Sequence, residues 1–244
     1  MSTEPPYPTN EAWIRFMAPV NPQTAASLLR VIDSKLQTGL KKLHLMISSP
    51  GGSVFHGLSI YNFLKGAPIE VITYNFGSVD SIGVVIFCSG DRRISVPNAR
   101  FLIHGVSMTF NNQQRLDEKD MEEKLKGLRI DYQNIARVIS DTTGKDVDSI
   151  INDMETRITL TPQEAKDYGL VQKIAPKLFP FGADLSVIHE DASIGLATPR
   201  AVQQQFNMPV QHSTEEATSC ITIPLTDNIT SIDNSEQAAP RNGA

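Results

Sequence analysis

Three short segments place chemistry-bearing residues at the ends of apolar runs. Ser48-Ser49-Pro50-Gly51-Gly52-Ser53-Val54 closes the first, Gly77-Ser78-Val79-Asp80-Ser81-Ile82-Gly83 the second, and Phe101-Leu102-Ile103-His104 the third. A strand followed by a turn of small residues delivers free backbone N–H groups to one edge of a sheet. Acyl transfer to a serine needs an activated hydroxyl, a base within reach and donors for the developing oxyanion. Ser81 follows a glycine-opened turn and starts a helix. Its hydroxyl can therefore project outward, where the helix dipole favours negative charge. Gly52 has no side chain to block its N–H, and the N–H of Ile82 is a second donor. Donors of this kind are each worth ~10² to 10³ in rate. His104 is the histidine that ends a strand beside these turns, and it is the natural base.

Each feature also has a plainer reading. Pro-Gly-Gly alone is a turn, a serine at a helix start is commonly an N-cap, and a strand-end histidine is commonly structural. Convergence of the three on one sheet edge is what favours chemistry. Ser49, Ser53, Ser78 and Ser89 read as turn or cap residues, and His44, His56, His189 and His212 have no comparable placement.

The elements that must position these residues alternate strand-like and helical patterns over the first 180 residues, an α/β signature. Strands are expected at Ile14 to Met17, Leu43 to Ile47, Ile69 to Tyr74, Ile94 to Val96, Phe101 to His104 and Leu170 to Ile174. Asn21-Pro22 opens a helix that Gly39 stops, with Ala25, Leu28, Leu29, Ile32 and Leu36 on one face. Further helices are expected from Val54 to Leu64, Ser81 to Cys88, Leu116 to Ser140 and Asp146 to Met154. Thr161-Pro162-Gln163-Glu164 is a capping box for another, closed by Gly169. The expected organisation is a short polar segment over 1–13, one domain over 14–178 and a mostly disordered tail over 179–244. Within that tail, Ile221 to Leu225 could add an edge strand or a docking peptide.

Composition narrows the classes. A formal net charge of −5 and scattered basic residues argue against a nucleic-acid surface. Cys88 and Cys220 form neither a disulfide framework nor a metal-ligand spacing. The proline-rich start carries no apolar signal segment, and no run approaches membrane-spanning length. A soluble, cytoplasmic protein without metal or cofactor is expected, with neither nucleic acid nor membrane as partner.

From about Ile14 to Ile174 the chain resembles the proteolytic subunit of the Clp protease, the ClpP family of serine peptidases. The family's ordered motifs appear as Ser49-Pro50-Gly51-Gly52, Ser59-Ile60-Tyr61, Gly77 to Gly83, and Pro97-Asn98-Ala99-Arg100-Phe101-Leu102-Ile103-His104. Thr143-Gly144 and Glu164-Ala165-Lys166-Asp167-Tyr168-Gly169-Leu170-Val171 follow. The resemblance implies that Ser81 is the nucleophile, His104 the base, and Gly52 and Ile82 the oxyanion hole. It also implies a crotonase-like α/β fold of repeated β-β-α units with a protruding handle helix, here Leu116 to Ser140. In the family, handles interdigitate to stack two heptameric rings, so a homo-oligomer acting on peptides or unfolded proteins is implied.

The chain departs from the family at three places. The third triad member, an aspartate, should precede Tyr168 by about eleven residues, and counting from either flanking motif lands on Arg157. An arginine cannot orient a histidine or stabilise imidazolium as a carboxylate does. Asp153 and Glu155 are the nearby candidates for third member. A Ser–His pair alone, a carboxylate from elsewhere and an inactive site all stay open. About thirteen residues precede the first strand, fewer than the family's axial loop and N-terminal helix, which leaves docking to a Clp-type ATPase open. Where the family has a glycine-rich strand after the histidine, this chain reads Gly105-Val106-Ser107-Met108-Thr109-Phe110-Asn111-Asn112. Substrate could still add there through main-chain pairing. Three functions compete: a serine-type endopeptidase, a catalytically impaired ring subunit, and acyl-CoA chemistry on the related crotonase fold. The last lacks the extra carboxylates that hydratases use.

Overall fold

Alternating strands and helices wind residues 11–88 into successive β–α units. β1 (Glu11–Met17) leads to α1 (Pro22–Gln37), β2 (Lys42–Ser49) to α2 (Val54–Gly66), and β3 (Glu70–Asp80) to α3 (Ile82–Cys88). The computed structural model describes residues 10–108 and 115–197. α1 begins where sequence places it, because Asn21 and Thr24 form a reciprocal capping box ahead of Pro22. α3 has no polar face, and all seven of its residues are buried. The remaining elements are β4 (Arg92–Ser95), β5 (Arg100–Ile103), α4 (Glu118–Thr143), α5 (Val147–Thr156), β6 (Ile158–Leu160), α6 (Pro162–Asp167) and β7 (Lys173–Ile174). Two more strands follow, β8 (Leu185–Ile188) and β9 (Ile194–Ala197).

The sheet runs β6-β5-β3-β2-β1-β8-β9, with β4 also paired to β3 and β7 to β4. β1, β2 and β3 are parallel neighbours. β3 continues past the expected end at Tyr74 because it changes partner. Ile72 to Asn75 pair with β4, whereas Ser78 to Asp80 pair with β5. A register irregularity in β2 between Ile47 and Ser49 accompanies this switch. The sheet thus divides near the C-terminal ends of β2 and β3. In parallel sheets, crevices for ligands form at such points.

Strand alternation gives the sheet two apolar faces. Ile14, Phe16, Leu45 and Ile47 join the main core with α1 to α3, while Trp13, Met46, Ile72, Tyr74 and Ile94 pack on the opposite face. Ala183, Leu185 and Val187 cover that second face. The expectation of a loose tail from residue 179 is therefore corrected as far as residue 197. β8 pairs parallel with β1, and β9 pairs antiparallel with β8. All four β8 residues are buried. The Ile221 to Leu225 segment lies outside the described residues.

α4 spans 26 residues, about 39 Å at 1.5 Å per residue. Its C-terminal half docks through Ile135, Ala136 and Ile139. Its N-terminal half stands clear of the core, with Met121 and Leu125 about half exposed at 53% and 47%.

Candidate active site

β2, β3 and β5 end together, and each delivers one component. Ser81 sits between β3 and α3 with φ 58° and ψ −128°, a conformation that costs a non-glycine residue roughly 1–3 kcal/mol. Main-chain bonds impose it. The Ser81 N–H donates to the Leu102 carbonyl at 2.8 Å, and the Ser81 carbonyl accepts from the Val84 N–H at 3.0 Å. Gly51 lies against it so closely that a Cβ there would stand 2.6 Å from the Ser81 Cβ. Gly51 also has φ 86°, so no other residue type fits without displacing the serine.

The next residue is pinned from its other side. Val20 donates to the Gly51 carbonyl at 2.7 Å, and the Val20 carbonyl accepts from the Ser53 N–H at 2.8 Å. In this parallel bridge, Gly51 and Ser53 direct their bonding groups at Val20. The Gly52 N–H must then point the opposite way, and Gly52 lines the cavity that Ser81 and His104 also line. A Cβ on Gly52 would meet the Val20 carbonyl oxygen at 2.3 Å. Ile82 is the first residue of α3 and lines the same cavity. As a first-turn group, its N–H has no partner within the helix.

The cavity measures about 260 Å³, with Val54, Val106 and Ile135 supplying apolar wall. Ser81, Ile82, Gly52 and His104 are all brought to it. The competing serines are engaged elsewhere. Ser78 donates to Asp80 at 2.7 Å and Ser89 to the Ile86 carbonyl at 2.7 Å. The Ser49 hydroxyl accepts from the Gly51 N–H at 3.2 Å, and that of Ser53 lies 2.8 Å from His56 Nδ1. Among the described residues, the Ser81 hydroxyl has no hydrogen-bond partner. A nucleophile and base in a free enzyme commonly close their bond only when substrate arrives.

His104 follows the end of β5, half-buried, with Nδ1 2.7 Å from the Gly105 carbonyl oxygen. Neither candidate carboxylate is bonded to it. Asp153 accepts from the Tyr168 hydroxyl at 2.6 Å. That bond and burial push the Tyr168 phenol far above its usual range, burial contributing most. Glu155 is exposed in the last turn of α5. Arg157 terminates that helix as an exposed C-cap with φ 58° and ψ 69°.

One feature had no clear sequence signal. Asp80, directly before the serine, is buried and pairs with Arg100 at 2.8 Å, tying the end of β3 to β5. Its partner lies within the Pro-Asn-x-Arg motif, where the arginine was the available hint. Cys88 is buried in α3, and burial pushes its thiol up to about 11, which leaves it inert as a nucleophile. Among the described residues, no cluster of His, Cys, Asp or Glu could hold a metal ion. No described helix is long and apolar enough to cross a membrane.

Comparison with known proteins gives one consistent family. The family model described as Clp protease matches residues 9–177. ATP-dependent Clp protease proteolytic subunit 3 of Rhodococcus jostii is 36% identical over 149 residues, covering 60% of this chain and 69% of that protein. The subunit 3 of Parasynechococcus marenigrum is 32% identical over 55% of this chain and 66% of its own length. The proteolytic subunit of Bdellovibrio bacteriovorus is 33% identical over 55% of this chain and 64% of its own length. The chain thus spans just under two thirds of the length of these last two relatives. Among solved structures, an asparagine-to-aspartate mutant of ClpP1 from Listeria monocytogenes superposes with a TM-score of 0.60 at 25% identity. That match covers 69% of this chain and 92% of the other.

Proposed function

The chain belongs to the Clp protease family, and we propose that it is a serine-type endopeptidase cleaving peptides or unfolded proteins inside an oligomeric ring. The observation that carries the proposal is the common cavity of Ser81, His104, Gly52 and Ile82, in which the serine hydroxyl has no partner among the described residues.

In this reading, Ser81 Oγ attacks the scissile carbonyl carbon while its proton passes to Nε2 of His104. The carbonyl's π electrons move to oxygen, which the N–H groups of Gly52 and Ile82 stabilise. As the tetrahedral species collapses, the C–N bond breaks and the leaving amine takes the proton from Nε2. Water then attacks the acyl-enzyme, gives its proton to Nε2, and the serine recovers that proton as the ester bond breaks. No cofactor takes part.

The apolar residues exposed on α4, among them Met121 and Leu125, support contact between copies through this helix. Resemblance makes heptameric rings the expected assembly, while docking to a Clp-type ATPase stays open. The cytoplasm is the proposed compartment. A second reading, a catalytically impaired ring subunit, draws its support from Arg157 at the expected aspartate position.

The test is turnover of a fluorogenic peptide and of an unfolded protein by the assembled protein, with Ser81→Ala alongside. The expected result is a loss of at least ~10³-fold with no change in assembled mass. Activity surviving in Ser81→Ala sinks the assignment. A folded, assembled wild type with no turnover establishes the impaired-subunit reading instead.

A further inference from the structure

We propose that the main-chain carbonyl of Gly105 serves as the third member of the catalytic group, and that Tyr132 is the positioning residue that holds it. The proposal rests on the reading of Ser81 and His104 as nucleophile and base.

The argument starts from hydrogen-bond chemistry. The Gly105 oxygen lies 2.7 Å from His104 Nδ1. A carbonyl oxygen can only accept, so Nδ1 carries the hydrogen. A neutral imidazole protonated at Nδ1 leaves the Nε2 lone pair free, which is the form a general base needs. A backbone carbonyl is one of the two common partners that fix a histidine in this way. The other is a carboxylate, and Asp153 already accepts from Tyr168 at 2.6 Å.

A peptide group positions a ring only if it is itself fixed, and two helices fix this one. The Gly105 N–H donates to the Met154 carbonyl at 2.9 Å. Met154 lies in the last turn of α5, whose carbonyls have no helical partner. Arg157 ends that helix in the left-handed conformation. The residue at the expected aspartate position thus terminates the helix that presents an acceptor to Gly105. From the other side, the Tyr132 ring of α4 packs on Gly105, and a Cβ there would stand 2.8 Å from Tyr132 Cε2. The Tyr132 hydroxyl in turn donates to the Ile151 carbonyl of α5 at 3.3 Å. Burial, with the Glu155 charge second, holds this phenol above its usual range, so it stays a neutral donor. A side chain at 105 would have to displace either the ring or the peptide.

A carbonyl dipole orients the imidazole as a carboxylate does, but it carries no full charge to offset imidazolium. His104 is therefore set in the correct tautomer with weaker support for the charged form. Displacing the Gly105 peptide should lower turnover without weakening substrate binding. Misplacing a catalytic group by about 1 Å can cost ~10²-fold.

The test compares Gly105→Ala, Tyr132→Ala and Tyr132→Phe with the wild type in the full-length assembled protein, by peptide hydrolysis and fluorophosphonate labelling. Gly105→Ala and Tyr132→Ala are expected to lower kcat by about 10- to 100-fold, with KM within about twofold. Tyr132→Phe, which keeps the ring on Gly105, is expected to retain most of kcat. Folded alanine variants with wild-type kcat overturn the proposal. Nitrogen-15 NMR of histidine-labelled protein, assigned with His104→Ala, decides the matter even where a variant fails to fold. The Nδ1-protonated form is expected, and an Nε2-protonated His104 refutes the proposal. A wild type that shows the Nδ1-protonated form yet neither turns over peptide nor labels at Ser81 defeats the peptidase reading separately.

Discussion

Around Ser81 the site is held by main chain that admits no alternative, whereas around His104 it is held by one peptide clamped between helices. The serine has a strained φ of 58° and a glycine neighbour with no room for a Cβ. The histidine has a carbonyl 2.7 Å from Nδ1, on a residue whose N–H depends on the end of α5. The contrast teaches that the nucleophile side follows the family's motifs residue by residue. In the proposed reading, the base side keeps its histidine and sets the Gly105 carbonyl behind it.

The broadest perturbation should leave this contrast untouched. Truncation after residue 180 removes β8, whose Leu185, Val187 and Ile188 are buried. At roughly 1.5–3 kcal/mol for each buried side chain, about 5 kcal/mol of stability should be lost. A melting curve should show a fall of about 10–20 °C; an unchanged curve would mean that β8 contributes nothing to the sheet. Next in size is Gly51→Ala, which strikes the nucleophile side. The new methyl collides with Ser81, and labelling of that serine should slow by about 10²-fold while far-ultraviolet circular dichroism stays native. Equal labelling would show that the serine is less constrained than its geometry implies.

A smaller effect lies away from both sides, on the second sheet face, and serves as their control. His44 stacks on Trp13 at 4.5 Å between ring centroids and bonds to Tyr74 and Glu11. Burial holds the His44 imidazole below its ordinary value despite Glu11. For Glu11, burial pulls the carboxyl upward, but hydrogen bonds from Lys42 and His44 outweigh it and hold the value low. In both groups the unfolded chain binds protons more readily than the folded one. Their contribution is complete above the ordinary histidine range. It declines on acidification, first through His44 and then, below the ordinary carboxylate range, through Glu11. The urea midpoint should fall by about 0.5 M or less from pH 7.5 to 5.5 and further by pH 4. A midpoint that rises on acidification would contradict this sign. The smallest change is expected from Arg157→Asp. The left-handed cap tolerates aspartate, and His104 Nδ1 already has its acceptor, so kcat should move by less than about threefold. A tenfold gain would show that a carboxylate was the missing part.

Much of this was legible because chemistry and motif coincide in the side chains. Ser81, His104 and the Gly51-Gly52 turn each close a run of apolar residues, and the structure brings them to one cavity. The extension of β3 to Asp80 was not legible, since Phe76 to Val79 show no strand-like alternation interpretable without knowing that β5 pairs there. β8 escaped notice because it is only four residues long and fully buried. It lacks alternation, and its partner β1 lies at the far end of the chain. The acceptor behind His104 is a main-chain carbonyl, which no residue letter encodes. The nearest hint is that a glycine stands directly after the histidine. Counting to Arg157 located a real feature, but its meaning lies in backbone conformation, where it ends α5 and exposes the Met154 carbonyl to Gly105.

The most direct test of the central claim, an activated serine whose base has a main-chain carbonyl behind it, is fluorophosphonate labelling of the assembled wild type. The site of attachment is mapped by mass spectrometry, with Ser81→Ala as control. Covalent label confined to Ser81, and absent from the variant, is the predicted result. Folded, assembled protein that takes up no label at Ser81 would contradict the account.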